Sequence, residues 1–339
     1  MPSAAGRRAV PDLNQIKSAA DRIAALVWRT PLLPSLWLSE RAGAEVRLKL
    51  EAVQATGSFK LRGAANAVAR LRESRPTVTT VMTASAGNHG LALATAAAHH
   101  GLRARVHLPA TAPDAKRAAL ARLGADIVTA PDYDHAEAAA RAEASTDDTA
   151  FVSPYDDEDV IAGAGTVALE MFEAWPEMDV AVVPVGGGGL ISGVAVAARA
   201  LAPGAAVLGA EAEASPVFSS ALAAGRPVTV DVRPTLADGL AGNMDPGTRT
   251  FDIVQTLVPQ VARVSEASIA AAMRGLILRD GVVAEGAGAV GVAALAGDGT
   301  GGTDRRPAFD VDLRGRRIGV IVSGRNVDAA VLERVLAGD

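Results

Sequence analysis

Cysteine is missing altogether from this 339-residue chain. That single absence removes disulfide scaffolds, thiolate zinc sites and cysteine nucleophiles together. Aromatic side chains are scarce at 3%, too few for an aromatic-rich binding surface. No uninterrupted apolar run approaches the roughly 18 residues that a membrane span needs. A strong excess of one charge is lacking as well. The formal net charge is −5 and the isoelectric point near 5.6, which gives no electrostatic reason to seek nucleic acid or anionic lipid. Arg7 and Arg8 open the chain, but no apolar segment with a small-residue cleavage site follows them. A cytoplasmic protein without nucleic-acid or membrane partners is the expectation.

What the chain does have is an alternation of short β-branched runs with longer Ala/Leu-rich stretches. Strands are expected at 46–50, 78–83, 104–108, 126–129, 180–185, 207–210, 260–264 and 317–322. Helices are expected at 58–72, 88–100, 113–123, 135–144, 166–174, 190–200 and 266–279. The third of these opens on Pro113 and Asp114 and stops before Gly124, the usual asymmetry of helix ends. Strand–helix alternation predicts an α/β fold with parallel sheets covered by helices. The segment Gly297–Asp312 and the interrupted basic stretch Arg305–Arg317 read as solvated loops.

Four turns carry candidate chemistry, each where a strand gives way to a helix, the edge at which ligands collect in open α/β sheets. In Thr56-Gly57-Ser58-Phe59-Lys60, a lysine in the first helical turn faces the positive end of the helix dipole. That disfavours its ammonium form, as Schiff-base chemistry requires. Taken alone, a lysine in such a place is more often an ordinary surface side chain. In Ser85-Ala86-Gly87-Asn88-His89-Gly90, the serine, the asparagine and the first helical amides can hold a carboxylate or a phenolic oxygen, or simply cap the helix. Gly186-Gly187-Gly188-Gly189 follows an apolar strand and lets successive N–H groups converge on an anion. Neither G-x-G-x-x-G nor a Walker lysine is completed, so the expected phosphate belongs to neither a dinucleotide nor a nucleoside triphosphate. After the last strand, Ser323 can serve a buried heterocyclic nitrogen.

Together these motifs resemble those of the fold-type II (tryptophan synthase β-like) pyridoxal-phosphate (PLP) enzymes, in particular the serine/threonine dehydratase and serine racemase family. The likeness runs from about Ile16 to the C-terminus. It takes in Thr30-Pro31-Leu32, Lys49-Leu50-Glu51, Ser58 to Ala64, Ser85 to Gly90, Asp156-Asp157, Val160 to Gly163, the glycine turn, Ala237-Asp238-Gly239 and Glu285 to Ala289. It implies a large lobe (1–80 and 160–339) and a smaller mobile lobe (81–159) with the cofactor between them. Lys60 would hold pyridoxal 5′-phosphate covalently, with Phe59, Asn88, Gly186, Gly187, Gly188, Gly189, Leu190, Gly239, Glu285 and Ser323 around it. Ser85, Ala86, Gly87, Asn88, His89 and Arg141 would line the substrate site. The implied activity is an ammonia-lyase that removes the β-hydroxyl and amine of a 3-hydroxy-amino acid, in a homodimer or homotetramer without feedback by isoleucine.

Departures from the family shape that reading. Racemases of the family place a second acid/base serine where this chain has Ala86, so racemisation is expected to be weak. A cation-binding Glu of some members is matched by Glu211. Ser215 and Val217 stand where the next acidic ligand belongs, so no metal site is expected, with Glu213 a weak substitute. Arg325 and Ala164 replace a glycine and a glutamine. His99, His100, His107 and His135 form no metal spacing. The alternatives are a β-replacement enzyme, whose lysine motif usually continues Asp-Arg, and a non-catalytic PLP- or amino-acid-binding protein.

Overall fold

The computed structural model describes residues 9–297 and 307–338. Residues 298–306 of the expected loop Gly297–Asp312, and with them Arg305, therefore lie outside the described residues. The chain opens with α1 (Leu13–Ile23), β1 (Leu32–Pro34), α2 (Leu36–Ala42), β2 (Glu45–Leu50) and α3 (Lys60–Ser74). It continues through β3 (Thr80–Ala84), α4 (Asn88–His99), β4 (Arg103–Pro109), α5 (Asp114–Arg122), β5 (Asp126–Ala130), α6 (Tyr133–Glu143) and β6 (Thr149–Phe151). Then follow α7 (Glu158–Ala174), β7 (Val180–Pro184), α8 (Gly189–Leu201), β8 (Ala206–Ala212), α9 (Val217–Ala224), α10 (Arg249–Leu257) and β9 (Gln260–Val264). Last come α11 (Glu266–Gly275), a π-helical turn Leu276–Asp280, α12 (Gly286–Ala296), β10 (Arg317–Val322) and α13 (Ala329–Ala337).

Two sheets result. The larger runs β1-β2-β10-β7-β8-β9 and the smaller β5-β4-β3-β6, with every pairing parallel except β1 with β2. Helices cover both faces of the larger sheet. The α2, α11 and α12 side and the α7, α8 and α10 side each close a separate apolar core, and a third core lies between the smaller sheet and α3 and α4. This is the bilobed fold-type II architecture. No helix among the described residues is long and apolar enough to cross a membrane.

The expected strand boundaries at 260–264 and 317–322 match β9 and β10, and the other expected strands shift by a few residues. Three helices differ in an instructive way. The helix expected at 166–174 begins at Glu158, under an Asp157 cap that accepts from the amides of Asp159 and Val160. Gly163 and Gly165 sit mid-helix, where α7 crosses two neighbours closely. A Cβ on Gly163 would lie 2.4 Å from the Arg62 carbonyl, and one on Gly193 of α8 would lie 2.4 Å from that of Ile161. The helix expected at 58–72 starts at Lys60, and the one expected at 135–144 starts at Tyr133 under an Asp132 cap. Arg317 is no loop residue: it opens β10 and pairs with Asp179 at 2.8 Å.

A buried charge cluster locks α3 to the larger sheet. Arg62, 1% exposed, donates to both oxygens of Glu51 at 2.8 Å and to both of Glu170 at 2.7 and 2.9 Å. Lys49 also donates to Glu170 and, at 2.7 Å, to the Thr30 carbonyl. Two cations and two carboxylates thus neutralise one another beside the first turn of α3.

Candidate active site

The lysine turn and the last strand are zipped together. Phe59 N–H donates to the Ser323 carbonyl at 3.0 Å, Arg325 N–H donates to that of Gly57 at 2.9 Å, and Ser58 bridges Gly324. Gly57 has φ +78°, and a Cβ there would fall 2.4 Å from Asn326 Oδ1, so only glycine fits. Lys60 therefore leaves the first turn of α3 into the space between the two sheets. Its Nζ donates to the Pro154 carbonyl at 2.8 Å and lies 5.1 Å from the Phe59 ring centroid. Burial holds this amine down to about 8, while the Glu285 carboxylate pulls the other way. Desolvation acts here beside the helix dipole expected from the position of Lys60 in the first turn.

Asn88, the first residue of α4, is gripped from both ends. Its Nδ2 donates to Glu285 Oε1 at 2.7 Å, and its Oδ1 accepts from Asn326 Nδ2 at 2.6 Å. Asn326 also donates to the Thr56 carbonyl at 2.9 Å. This chain fixes which end of the Asn88 amide is the donor and leaves its second N–H available to a ligand oxygen. Glu285 caps the start of α12 and donates its own N–H to the Gly324 carbonyl at 3.0 Å. Only 5% exposed, its carboxyl is pushed up to about 7 by burial.

His89 is buried against the Val152 carbonyl, 3.1 Å from Nε2. Burial, and then Lys60, push its ring down to about 3, so it is neutral at working pH. With its one proton donated to Val152, Nδ1 is a bare acceptor and has no partner. The ring cannot donate to a carboxylate; what His89 can offer one is its backbone N–H. Among the described residues the amides of Asn88, His89 and Gly90 meet no protein acceptor. Ser85, Ala86 and Gly87 form the half-buried turn leading into them.

A second free helix end faces the same space. From Gly186 to Leu190 no backbone N–H has an acceptor among the described residues. Gly188 takes φ +86°, where a Cβ would strike the Phe218 ring at 2.5 Å; on Gly187 it would strike the Tyr155 ring at 2.4 Å. Gly239 lies in a short turn against Ala287. The Ser323 side chain is 3% exposed, and its hydroxyl has no protein partner among the described residues. The buried hydroxyls of Ser58, Thr56 and Ser192 are unpaired too.

Two bare helix N-termini, a desolvated lysine between them and an unpaired serine hydroxyl suit a ligand with an anionic group at each end and a polar heterocycle in the middle. PLP carrying an amino acid has that form, and the residues present fit it. Arg141 is paired with two carboxylates. It is held on α6 by Glu137 at 2.5 Å and Asp245 at 3.1 Å, over the Phe151 ring. Both oxygens of Glu211 accept amides at the start of α9, from Phe218 at 2.9 Å and Ser219 at 3.0 Å. No group of acidic or imidazole side chains among the described residues could hold a metal. Sequence reasoning missed Asn326, the Pro154 carbonyl, Tyr155 and Asp245. Of these, only Asn326 stands within a motif singled out from the sequence.

Comparison with known proteins agrees with this geometry. The family model described as pyridoxal-phosphate dependent enzyme matches residues 23–308. The L-threonine ammonia-lyase of Thermotoga maritima is 41% identical over 96% of this chain and 78% of its own. The catabolic L-threonine dehydratase of Escherichia coli is 35% identical over 95% of each. The structure of maize serine racemase superposes with a TM-score of 0.88 at 33% identity, covering 97% of this chain and 98% of that one. With the lysine, the two helix ends and the serine all in place, the chain belongs to the family of pyridoxal-phosphate dependent enzymes.

Proposed function

We propose that this enzyme is an ammonia-lyase for a 3-hydroxy-amino acid of the serine or threonine type, yielding a 2-oxo acid and ammonia. PLP, when bound, supplies the electron sink that lets an amino acid lose its Cα proton. The chain supplies the rest. The free amides of α4 bind the substrate carboxylate, and those of α8 bind the cofactor phosphate. Asn88, oriented by Glu285 and Asn326, donates to the ring oxygen, and Ser323 meets the ring nitrogen without a charge. The Lys60 amine, neutral in a large fraction near pH 8, takes the Cα proton. The Cα–H and Cβ–O bonds break and the hydroxyl departs as water. The released enamine tautomerises to an imine, adds water and loses ammonia.

The observation that carries this reading is the single basic amine at the site. Lys60 is desolvated and makes no salt bridge among the described residues, and Ala86 stands where the resemblance puts a racemase's acid/base serine, so we infer that proton removal has no mirror-image donor. Elimination needs one proton abstraction; racemisation needs delivery from the other side. We also infer that residues 81–159 form the smaller lobe and close over the substrate. The contacts Lys116–Asp238 at 3.3 Å and Arg141–Asp245 at 3.1 Å, which span that division, support this. The proposed assembly is a homodimer.

The test is ammonia and 2-oxo acid release from a panel of 3-hydroxy-amino acids, with the cofactor's visible absorbance followed alongside. Turnover of one member supports the lyase and identifies its substrate. Retained absorbance with no release from any member would overturn it in favour of β-replacement.

A further inference from the structure

The glycine turn before α8 is flexible backbone set to a task that needs a fixed one. A peptide unit is planar and trans, so its C=O and its N–H point in opposite directions. The Gly187 carbonyl and the Gly188 N–H belong to one such unit. Glycine on both sides leaves that unit free to rotate, with Gly188 already at φ +86°. Turned over, it would offer an incoming anion a carbonyl oxygen instead of a donor. A side chain from the start of α10 holds it in place: Thr250 Oγ1 donates to the Gly187 carbonyl at 2.9 Å.

Thr250 is itself directed. Its hydroxyl lies 3.0 Å from that of Thr248. A hydroxyl has one proton. With the proton of Thr250 on the Gly187 carbonyl, Thr248 is the donor of the second contact. The order is therefore Thr248 to Thr250 to Gly187, a chain in which each bond polarises the next. Both threonines are buried, Thr250 completely. Thr248 stands at the N-cap of α10, where a threonine ordinarily accepts an amide of its own helix, yet its side chain makes no such bond. The segment that carries the two is clamped in turn. Asp245 N–H donates to Tyr155 Oη at 3.1 Å, and Arg249 donates from N and Nε to Asp156 Oδ1 at 3.0 and 3.1 Å. Tyr155 lies against Gly187 and Thr250 against Gly188, so close that a Cβ on either glycine would clash, at 2.4 and 2.8 Å.

We propose that Thr250 is a positioning residue for the cofactor phosphate: its hydroxyl, held by Thr248, locks the Gly187–Gly188 peptide with the Gly188 N–H turned toward the anion. The inference rests on the assignment of the α8 amides to the phosphate and adds the side chain that orients them. Thr250 acts through the backbone of the turn and not on the reacting atoms.

The experiment titrates the full-length PLP-free protein with PLP and, separately, with pyridoxal, which carries the same aldehyde without the phosphate. The lysine-bound absorbance is followed in both. The wild type should bind PLP far more tightly than pyridoxal. Thr250→Val keeps the branched shape and removes the hydroxyl. It should raise the dissociation constant for PLP about tenfold and leave that for pyridoxal unchanged. Thr250→Ser should restore most of the lost affinity, a recovery that loss of packing cannot produce. A loss shared equally by the two ligands, or an affinity for PLP indifferent to Thr250→Val, would overturn the role of Thr250 while leaving the phosphate assignment intact. A wild type that binds both ligands equally well would overturn both.

Discussion

Capture of the cofactor by the PLP-free protein should be governed by the proton on Lys60, and the structure fixes where that proton leaves. An ordinary lysine titrates near 10.4, whereas burial holds Lys60 at about 8. Only the neutral amine attacks the aldehyde. At pH 7 the neutral fraction is thus about one in ten for Lys60, against fewer than about one in a thousand for an unperturbed lysine, a gain of more than two orders of magnitude. The second phosphate ionisation, near 6, is complete through most of the range. The bimolecular rate, followed by stopped-flow absorbance between about pH 7 and 10, should rise with pH and level off just above 8. Glu285→Gln removes the carboxylate that opposes this shift, so in that variant the bend should move below 8. Because Glu285 itself titrates at about 7, the wild-type lower limb should be shallower than one proton, and the variant's should not. A wild-type rate that climbs log-linearly through pH 9.5, or a bend unmoved by Glu285→Gln, would refute the argument.

Three further outcomes follow from the same contacts. Lys60→Met should abolish ammonia release and the lysine-bound cofactor absorbance. In the PLP-free protein at pH 7 it should also stabilise the fold, by about 2 kcal/mol: about 3 from relieving the buried amine, less about 1 for the Pro154 carbonyl left bare. The sign follows from a folded-state pKa that is depressed, so the wild-type penalty is full below pH 8 and vanishes as pH approaches 10.5; urea unfolding at both ends checks this. Arg62→Met leaves Glu51 and Glu170 with Lys49 alone in a site closed to water and should cost about 3–5 kcal/mol, measured by chemical unfolding. Arg62→Lys should recover only part, because a point charge cannot reach four carboxylate oxygens. Ala86→Ser should raise the ratio of racemisation to elimination, measured by chiral chromatography beside ammonia release. An unchanged ratio would show that this turn does not face the Cα proton.

The residues legible in the sequence were those whose chemistry is written in local spacing. Four consecutive glycines between a strand and a helix announce an anion site, and the lysine, asparagine and serine turns fall at strand ends where the topology collects them. Elements escaped when their burial had no period. Helix α12 is buried on every side, so no polar face marks it as a helix, and its Gly-Ala-Gly-Ala start reads as a loop. Helix α1 is different: its Asp12–Gln15 capping box and buried Ile16, Ala19 and Ile23 are an amphipathic signature that could have been read. The contacts that orient the site join residues far apart in the chain. Asn326 reaches back 238 residues to Asn88, and the Pro154 acceptor is a main-chain oxygen that any residue would supply. No local pattern encodes either.

The chain contains an internal control for why Lys60 is the residue that reacts. Lys49 is just as enclosed, at 1% exposure, and burial lowers its pKa too. Yet Lys49 donates to Glu170 and lies close to Glu51, so its ammonium form is paired and its role is cohesive. Arg62, two residues beyond Lys60, takes the remaining carboxylate oxygens of that cluster. The cluster is therefore saturated before Lys60 is reached. One turn of α3 carries a guanidinium on four carboxylate oxygens and an amine on a single neutral carbonyl. The first anchors the helix; the second makes no salt bridge among the described residues, and only the nearby Glu285 carboxylate favours its proton. The difference between a structural and a catalytic cation here lies in the distribution of two carboxylates, which Arg62 and Lys49 exhaust.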